Sequence, residues 1–219
     1  MEWNRQCNRF QSYINSSYAH TNGLTVDIDL KFIRNKKEVY NESIINALLR
    51  KGLITDYSRI KNKISFKYKN RQVQRCLLKA GNALELYTFL NIGKIISENP
   101  DKISYAKTGV HIDWNGETHT PYDVKNEVDI MVAGNLIPTY ISCKNGDVYK
   151  EDLYELATVA DNFGGVYSKK VLVATNIPET TSGKHLLERA KEMDINVISN
   201  IDTISSEEFI SELKTHLLG

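Results

Sequence analysis

The residues best suited to chemistry lie in one stretch, 126–144, where two short apolar runs meet at Gly134-Asn135. The first run carries Asp129, and the second ends at Lys144. Glycine followed by asparagine between two apolar runs is typical of a tight turn, so this pattern predicts a β-hairpin. The hairpin would place a carboxylate and an ammonium group on neighbouring strands, close enough to act on one substrate.

Two carboxylates of the first strand are expected on one face. Glu127 and Asp129 are two residues apart and share a side of the strand, whereas Val128 and Ile130 enter the core. Hydrolysis of a phosphodiester needs an activated water and stabilisation of developing negative charge. A Mg²⁺ or Mn²⁺ ion held by Asp129 would supply most of this, and Lys144 would orient the water or neutralise phosphoryl charge. The alternative is an exposed strand face without a catalytic role.

The order of these residues resembles the PD-(D/E)XK nuclease superfamily, in which an aspartate begins one central strand and (Glu/Asp)-X-Lys ends the next. Asn126-Glu-Val-Asp129 matches the first motif, and Ser142-Cys-Lys144 occupies the second, with Ser142 in place of the usual acid. Some members carry that acid on the following helix. The resemblance therefore implies Glu155 as a metal ligand, with Glu151 in reserve. The alternative is that both are solvated helix residues.

The same resemblance implies an acidic partner on the first core helix. Glu85 stands between two leucines, and a carboxylate among buried apolar residues is rarely left unpaired. We expect Glu85 to reach the metal directly or through water. Cys143 is expected to be a small buried residue whose backbone carbonyl faces the metal. The expected ligands of Mg²⁺ or Mn²⁺ are Asp129, Glu155, Glu85 and the carbonyl of Cys143.

A narrower resemblance covers about residues 40–200. Segments 81–87, 126–129, 142–144, 152–157 and 164–165 resemble, in this order, the nuclease half of CRISPR-associated CARF nucleases. Segments 47–54 and 64–66 resemble the winged-helix-like segment that precedes that half. In that family a sensor domain binds a cyclic oligoadenylate and switches on metal-dependent cleavage of nucleic acid. Because only the first 40 residues precede the winged-helix-like segment, we expect no such sensor here. The resemblance then implies a nuclease that either stands alone or is controlled by another protein.

The helices and strands that position these residues follow from apolar periodicity. The expected strands are 25–32 (an edge strand), 64–68, 110–114, 127–132, 137–143, 170–175 and 195–198. The expected helices are one that starts at Asn41, then 71–96 with an interruption at Gly81, 152–163, 183–193 and 206–218. A hairpin followed by alternating strands and helices predicts an α/β fold, a restriction-endonuclease-like core with a mixed central sheet flanked by helices.

Charge is divided unevenly along the chain. Residues 31–80 carry 14 Lys and Arg against 3 Asp and Glu, a net charge of +11, whereas residues 81–219 carry 12 against 21, a net charge of −9. A basic segment is typical of a surface that contacts a polyanion, and an acidic one can hold cations. We therefore expect two domains, a small basic winged-helix-like module at 1–74 and a nuclease-like domain at 75–219.

The basic module would bind the phosphate backbone of DNA or RNA. Three aromatic residues lie among its cations and would stack on bases, namely Tyr57, Phe66 and Tyr68. The alternative is a solvated basic surface with no ligand.

Composition points to the cytoplasm and to no membrane partner. Three widely spaced cysteines, an odd number, argue against a disulfide framework and for a reducing compartment. No apolar run approaches the roughly 20 residues that span a bilayer. The first residues, Met1-Glu-Trp-Asn-Arg5, lack the apolar stretch of a signal peptide.

The sequence thus predicts a metal-dependent endonuclease of DNA or RNA that serves in defence or nucleic-acid processing. The resemblance adds a homodimer, since many nucleases of this fold pair their sites. The rival hypothesis is a catalytically inactive protein that kept the nuclease fold and acts as a nucleic-acid-binding or regulatory module. Ser142, in place of the usual acid, favours the rival.

Overall fold

The computed structural model describes residues 11, 14, 19–29, 42–113, 125–134 and 137–219. The predicted helix start at Asn41, residues 30–32 of the first expected strand and Trp114 lie outside these residues. The chain divides into two compact units, Met1–Ala83 and Leu84–Gly219. In the part that the structure describes, no helix is both long enough and apolar enough to cross a membrane.

The first unit contains one antiparallel sheet with the strand order β1-β2-β4-β3. Its elements are β1 (Ala19–Asn22), β2 (Thr25–Asp29), α1 (Glu42–Arg50), β3 (Ile54–Ile60), β4 (Lys63–Tyr68) and α2 (Arg71–Leu78). The prediction that β2 is an edge strand is wrong. The short polar strand β1 pairs with β2 from Ala19–Ile28 to Asn22–Thr25, so β2 lies between β1 and β4.

The aromatic residues of β4 belong to the core of the first unit. Phe66 and Tyr68 are fully buried, and their rings meet edge to face with centroids 5.3 Å apart. Burial also raises the pKa of the Tyr68 hydroxyl well above its ordinary value. Tyr57 is partly buried against the same core. The prediction that Phe66 and Tyr68 stack on bases is therefore wrong, because the alternation of β4 turns them inward and Lys63 and Lys67 outward.

The two compact units meet between Ala83 and Leu84, and the domains 1–74 and 75–219 stay a prediction. Helix α2 belongs to the first unit because its Leu77 is buried in that core, and its first turn is capped by Asn70, whose side chain accepts the Val73 N–H at 2.9 Å. The expected helix 71–96 is two helices, α2 and α3 (Ala80–Glu98). They separate at Lys79, whose backbone is extended, and not at Gly81.

The second unit is built on a five-stranded sheet with the order β5-β6-β7-β8-β9. Its remaining elements are β5 (Ile103–Asp113), β6 (Lys125–Gly134), β7 (Ile137–Lys144), α4 (Lys150–Gly164), β8 (Lys169–Ala174), α5 (Thr181–Glu192), β9 (Ile195–Ile198) and α6 (Ser206–Leu218). The first three strands are antiparallel, and β7, β8 and β9 are parallel. This mixed sheet flanked by helices confirms the predicted α/β fold class.

The core of the second unit packs α4 against the parallel part of the sheet. Strand β8 is buried from Lys170 to Ala174, as its apolar run predicts. Helix α4 turns its apolar stripe toward this sheet with Leu153, Leu156, Ala157, Val159 and Ala160. The polar residues of α4 are thereby left along the sides of the helix, where two clefts open.

Gly183 marks a tight approach at the start of α5. A Cβ built there would collide with the carbonyl oxygen of Pro178, so Gly183→Ala should lower the free energy of unfolding by about 1–3 kcal/mol. The matched control is Gly93→Ala in the exposed interior of α3, where a Cβ meets nothing within 4 Å. That change should raise stability by about 0.5–1 kcal/mol. Urea unfolding measures both, and a shift of the same sign in the two variants would contradict this packing.

Candidate active site

Asp129 lies where β6 and β7 part. Paired residues of the two strands run from Gly134–Ile137 to Ile130–Ile141 and stop there. The next free backbone donor of β7, the N–H of Cys143, donates to Oδ2 of Asp129 at 2.6 Å. The hydroxyl of Ser142 donates to the same oxygen at 3.3 Å. The carboxylate thus replaces a ladder partner, which fixes its position at the fork between the strands.

Lys144 is held at the end of β7 by the next strand. It pairs with Ala174 in the parallel ladder, and its carbonyl accepts the Thr175 N–H at 3.1 Å. The buried Thr175 hydroxyl also accepts the N–H of Gly146 at 3.0 Å. With its backbone fixed in this way, the Lys144 ammonium lies 2.8 Å from Oδ1 of Asp152.

One cleft of about 200 Å³ gathers the charged residues, and we call it the acidic cleft. It is lined by four carboxylates, one ammonium group and the Ser142 hydroxyl, the charged residues being Glu127, Asp129, Asp152, Glu155 and Lys144. Glu127 and Asp129 lie on one side of β6, as alternation predicts. The structure also brings Glu155 into the cleft with Asp129 and Lys144. Glu151 lines a different cleft, on the other side of α4.

Asp152 is the site residue that sequence reasoning missed. Its Oδ2 accepts the N–H of Tyr149 at 2.8 Å, which satisfies a backbone donor at the start of α4. Its Oδ1 holds the ammonium of Lys144. Acidic residues are common in the first turn of a helix because they cap its backbone N–H groups. In the sequence, helix capping therefore explains Asp152 without a role in the site. The available signal was its spacing, because residues three apart, here Asp152 and Glu155, share a helix face.

Cys143 and Glu85 do not line the acidic cleft. Cys143 is buried, as predicted, and burial together with the charge of Asp129 raises the pKa of its thiol well above the ordinary value. The half-buried Glu85 is near enough on α3 for its charge to raise that pKa further. A role for Glu85 or for the Cys143 carbonyl in binding a metal stays a prediction.

The acidic cleft shifts the pKa values of its two central groups upward. Burial raises the pKa of Asp129, and the negative charge of Glu127 raises it further. The hydrogen bonds from Cys143 and Ser142 and the charge of Lys144 lower this pKa, but burial outweighs them. Burial alone would lower the pKa of Lys144, but its hydrogen bond to Asp152 and the charges of Asp152, Asp129 and Glu155 raise it above the ordinary value. Lys144 is therefore a cation at neutral pH, among carboxylates that outnumber it.

The donor set of the acidic cleft fits a hard divalent cation. Carboxylate and hydroxyl oxygens are the ligands that Mg²⁺ and Mn²⁺ prefer, and a cation would offset the repulsion among the carboxylates. Within the described ranges, no three His, Cys, Asp or Glu side chains converge in an arrangement that holds a metal ion. Binding would therefore require Glu127 and Glu155 to turn inward, and both are exposed enough to do so.

Fold and site define a two-unit α/β protein with an acidic cleft at the fork of two central strands. No family model matches the chain, and no curated protein matches it. Protein VC1899 from Vibrio cholerae shares its fold with a TM-score of 0.68 at 19% identity, over 98% of this chain and 50% of that one. Can2 from Sulfobacillus thermosulfidooxidans, in complex with cyclic tetra-adenylate, shares the fold with a TM-score of 0.64 at 16% identity, over 100% of this chain and 53% of that one. This chain spans about half the length of each.

The pairing of Asp152 with Lys144 predicts how Asp152→Asn behaves. Asparagine can still accept the Tyr149 N–H, but it removes the charge that raises the pKa of Lys144. We expect the pKa of Lys144 to fall, as followed by NMR titration of lysine side-chain carbons, and stability to drop by about 0.2–1 kcal/mol. A Lys144 titration unchanged from that of the wild type would show that Asp152 does not hold the ammonium in solution.

Proposed function

We propose that this chain is a metal-dependent nuclease that hydrolyses phosphodiester bonds in DNA or RNA. The acidic cleft carries this proposal, because it sets the protonated Lys144 at the end of β7 among four carboxylates, two from β6 and two from α4. Phosphodiester hydrolysis needs oxygen ligands for a cation and a fixed positive charge near the phosphoryl group. The fork between β6 and β7 offers both within one cleft.

Asp129 is the proposed centre of metal binding. Both described hydrogen bonds to it use Oδ2, so Oδ1 is the oxygen expected to meet the cation. Glu155 would join it from α4, and the earlier predictions for Glu85 and the Cys143 carbonyl form part of the proposal. A bound Mg²⁺ or Mn²⁺ polarises the phosphoryl group and makes a coordinated water more acidic.

Lys144 is proposed to stabilise charge. Its raised pKa keeps the ammonium protonated at neutral pH, so it can donate a hydrogen bond to a phosphoryl oxygen or to the attacking water, but it cannot accept the proton of that water. Asp152 holds the ammonium in place. This arrangement supports the positioning and charge-neutralising roles expected from the sequence.

The first unit is proposed to bind the phosphate backbone. All ten of its described lysines and arginines are exposed: Arg50, Lys51, Arg59, Lys61, Lys63, Lys67, Lys69, Arg71, Arg75 and Lys79. Such a surface binds nucleic acid with an affinity that falls as salt rises, since each phosphate contact releases counterions.

A place in nucleic-acid defence belongs to the same proposal. The sequence motifs resemble CRISPR-associated CARF nucleases, and the fold matches about half of Can2, whose structure contains cyclic tetra-adenylate. A homodimer is proposed on that resemblance, as is a nuclease that either stands alone or is controlled by another protein. A cytoplasmic location is proposed from the three widely spaced cysteines. Binding of cyclic tetra-adenylate is a property of Can2 and is not proposed for this chain.

The test is cleavage of labelled single- and double-stranded DNA and RNA with Mg²⁺, Mn²⁺ or EDTA. We expect cutting with either metal and none with EDTA. A second readout is the melting temperature, which Mn²⁺ at about 100 times its Kd should raise by roughly 5–10 °C. Binding of nucleic acid with neither cleavage nor a Mn²⁺-dependent shift would favour the rival, an inactive nuclease-fold binding protein.

A further inference from the structure

A second cleft of about 500 Å³ opens on the other side of α4, against the start of α5. Its size lies within the usual range for small-ligand sites, about 300–1,000 Å³. Two exposed aromatic rings line it, those of Tyr149 and Tyr154, at 61% and 45% exposure. Three basic side chains line it as well, those of Lys150, His185 and Arg189. We call it the tyrosine cleft.

We propose that the tyrosine cleft binds an unpaired base, together with its phosphate, of a single-stranded nucleic acid whose neighbouring phosphate lies in the acidic cleft. The inference rests on the proposed nuclease function and names its substrate class. Tyrosine faces stack on bases of any sequence, and cations beside them bind the backbone, which is the combination that single-strand-binding surfaces use.

Helix α4 links the two clefts. Tyr154 lines the tyrosine cleft, and the next residue, Glu155, lines the acidic cleft. Tyr149 donates its N–H to Asp152, so the first turn also joins the two sides. A helix with its side chains is about 10–12 Å across, a distance that a short length of extended strand spans.

The cations of the tyrosine cleft are available to a phosphate. Arg189 pairs with Glu192 at 2.9 Å and Lys150 with Glu151 at 3.9 Å, and all four side chains are at least half exposed. Exposed ion pairs of this kind contribute little to stability, so these cations can exchange a carboxylate for a phosphate at small cost. The acidic cleft, by contrast, needs a cation before it accepts a phosphate. Binding in the tyrosine cleft should therefore survive removal of divalent metal.

Stacking on a tyrosine ring requires a base with an accessible face, which distinguishes single-stranded from double-stranded nucleic acid. In a duplex, each base already lies between its neighbours and cannot present a face to Tyr149 or Tyr154. A single strand presents its bases freely. We therefore expect preference for single strands over duplex in the tyrosine cleft, without preference for one base sequence.

The experiment measures the affinity of short fluorescent single-stranded DNA and RNA in EDTA, where no cleavage occurs. Tyr149→Ala and Tyr154→Ala should weaken binding roughly 5- to 100-fold, whereas Tyr154→Phe keeps the ring and should bind as the wild type does. The matched control is Tyr167→Ala, which removes an 81% exposed tyrosine outside the cleft. An oligonucleotide with 2-aminopurine should lose fluorescence on stacking in the wild type but not in Tyr154→Ala. Melting temperatures confirm that each variant is folded.

The outcomes separate this inference from the proposed function. Wild-type affinity for single strands in both alanine variants, or an equal loss of duplex and single-strand binding in them, overturns the tyrosine cleft and leaves metal-dependent cleavage standing. Loss of binding in those variants, in a protein that cuts nothing with any metal, supports the cleft and removes the nuclease. Absence of wild-type binding in EDTA also overturns the inference.

Discussion

Lys144→Met should lower the rate of metal-dependent cleavage by about 10²–10³-fold, the usual effect of removing one group that stabilises charge in a transition state. Methionine keeps an unbranched side chain at the end of β7 but carries no charge. The affinity for nucleic acid in EDTA should change little, because the first unit and the tyrosine cleft are proposed to provide it. Single-turnover kinetics would place the loss in the chemical step and not in binding.

The controls for Lys144 separate charge from shape. Lys144→Arg keeps a cation and should retain part of the activity, limited by how well guanidinium fits opposite Asp152. Lys184→Met removes an exposed lysine of α5 that lines neither cleft, and it should cut at the wild-type rate. Cleavage by Lys144→Met at that same rate would remove Lys144 from the mechanism.

The hairpin could be predicted from the sequence because its signals are local. Alternation around Asp129 and the Gly134-Asn135 pair act over a few residues, and each has one structural meaning. The same holds for β9 and α6, whose bounds match the predicted 195–198 and 206–218. Once β6 and β7 pair, the adjacency of Asp129 and Lys144 follows from geometry.

The errors arose where a residue has two local explanations. Phe66 and Tyr68 alternate with lysines along β4. Alternation shows that aromatic and basic side chains lie on opposite faces of the sheet, but it does not show which face is buried. Strand β1 is short and polar, so the sequence of residues 19–22 has no apolar alternation that would predict a strand paired with β2. Asp152 is explained equally well as a cap of α4 and as the partner of Lys144, and it is both.

The ligand set could not be derived from spacing alone. Whether Glu85, Glu127 or Glu155 meets Asp129 depends on side-chain rotations that a bound cation would drive. The backbone fixes Asp129 and Lys144, because strand pairing and Thr175 hold them. The backbones of Glu127 and Glu155 are fixed as well, by pairing with His111 and by helix α4, but their exposed side chains can turn. Metal-binding measurements decide which of them is a ligand.

Asp129→Asn should abolish metal-dependent cleavage and, at neutral pH, raise the melting temperature of the metal-free protein. The loss of activity follows from removing the proposed central ligand, with an expected effect of at least about 10²–10³-fold. The gain in stability follows from the pKa of Asp129, which burial raises. Asparagine carries no charge to desolvate and can still accept the Cys143 N–H.

The sign of the stability effect follows from proton linkage. Because the pKa of Asp129 is higher in the folded than in the unfolded chain, the folded state binds more protons between those two values, and stability falls as pH rises through them. The cost is complete above the folded pKa and absent below the unfolded one. The advantage of Asp129→Asn should therefore be present at neutral pH and vanish in acid, each kcal/mol appearing as about 2–4 °C.

Metal should reverse the order of the two proteins. Only the wild type has the full proposed ligand set, so Mn²⁺ should bind its folded state and raise its melting temperature. The melting temperature of Asp129→Asn should respond weakly to Mn²⁺. Thermal melts of both proteins across pH, with Mn²⁺ and with EDTA, test the whole argument. A lower melting temperature of the variant in EDTA at neutral pH, or a gap that does not depend on pH, would show that the Asp129 charge is not destabilising. A carboxylate that destabilises the metal-free fold and becomes stabilising when it binds metal would be one case of the trade-off between stability and activity at functional sites.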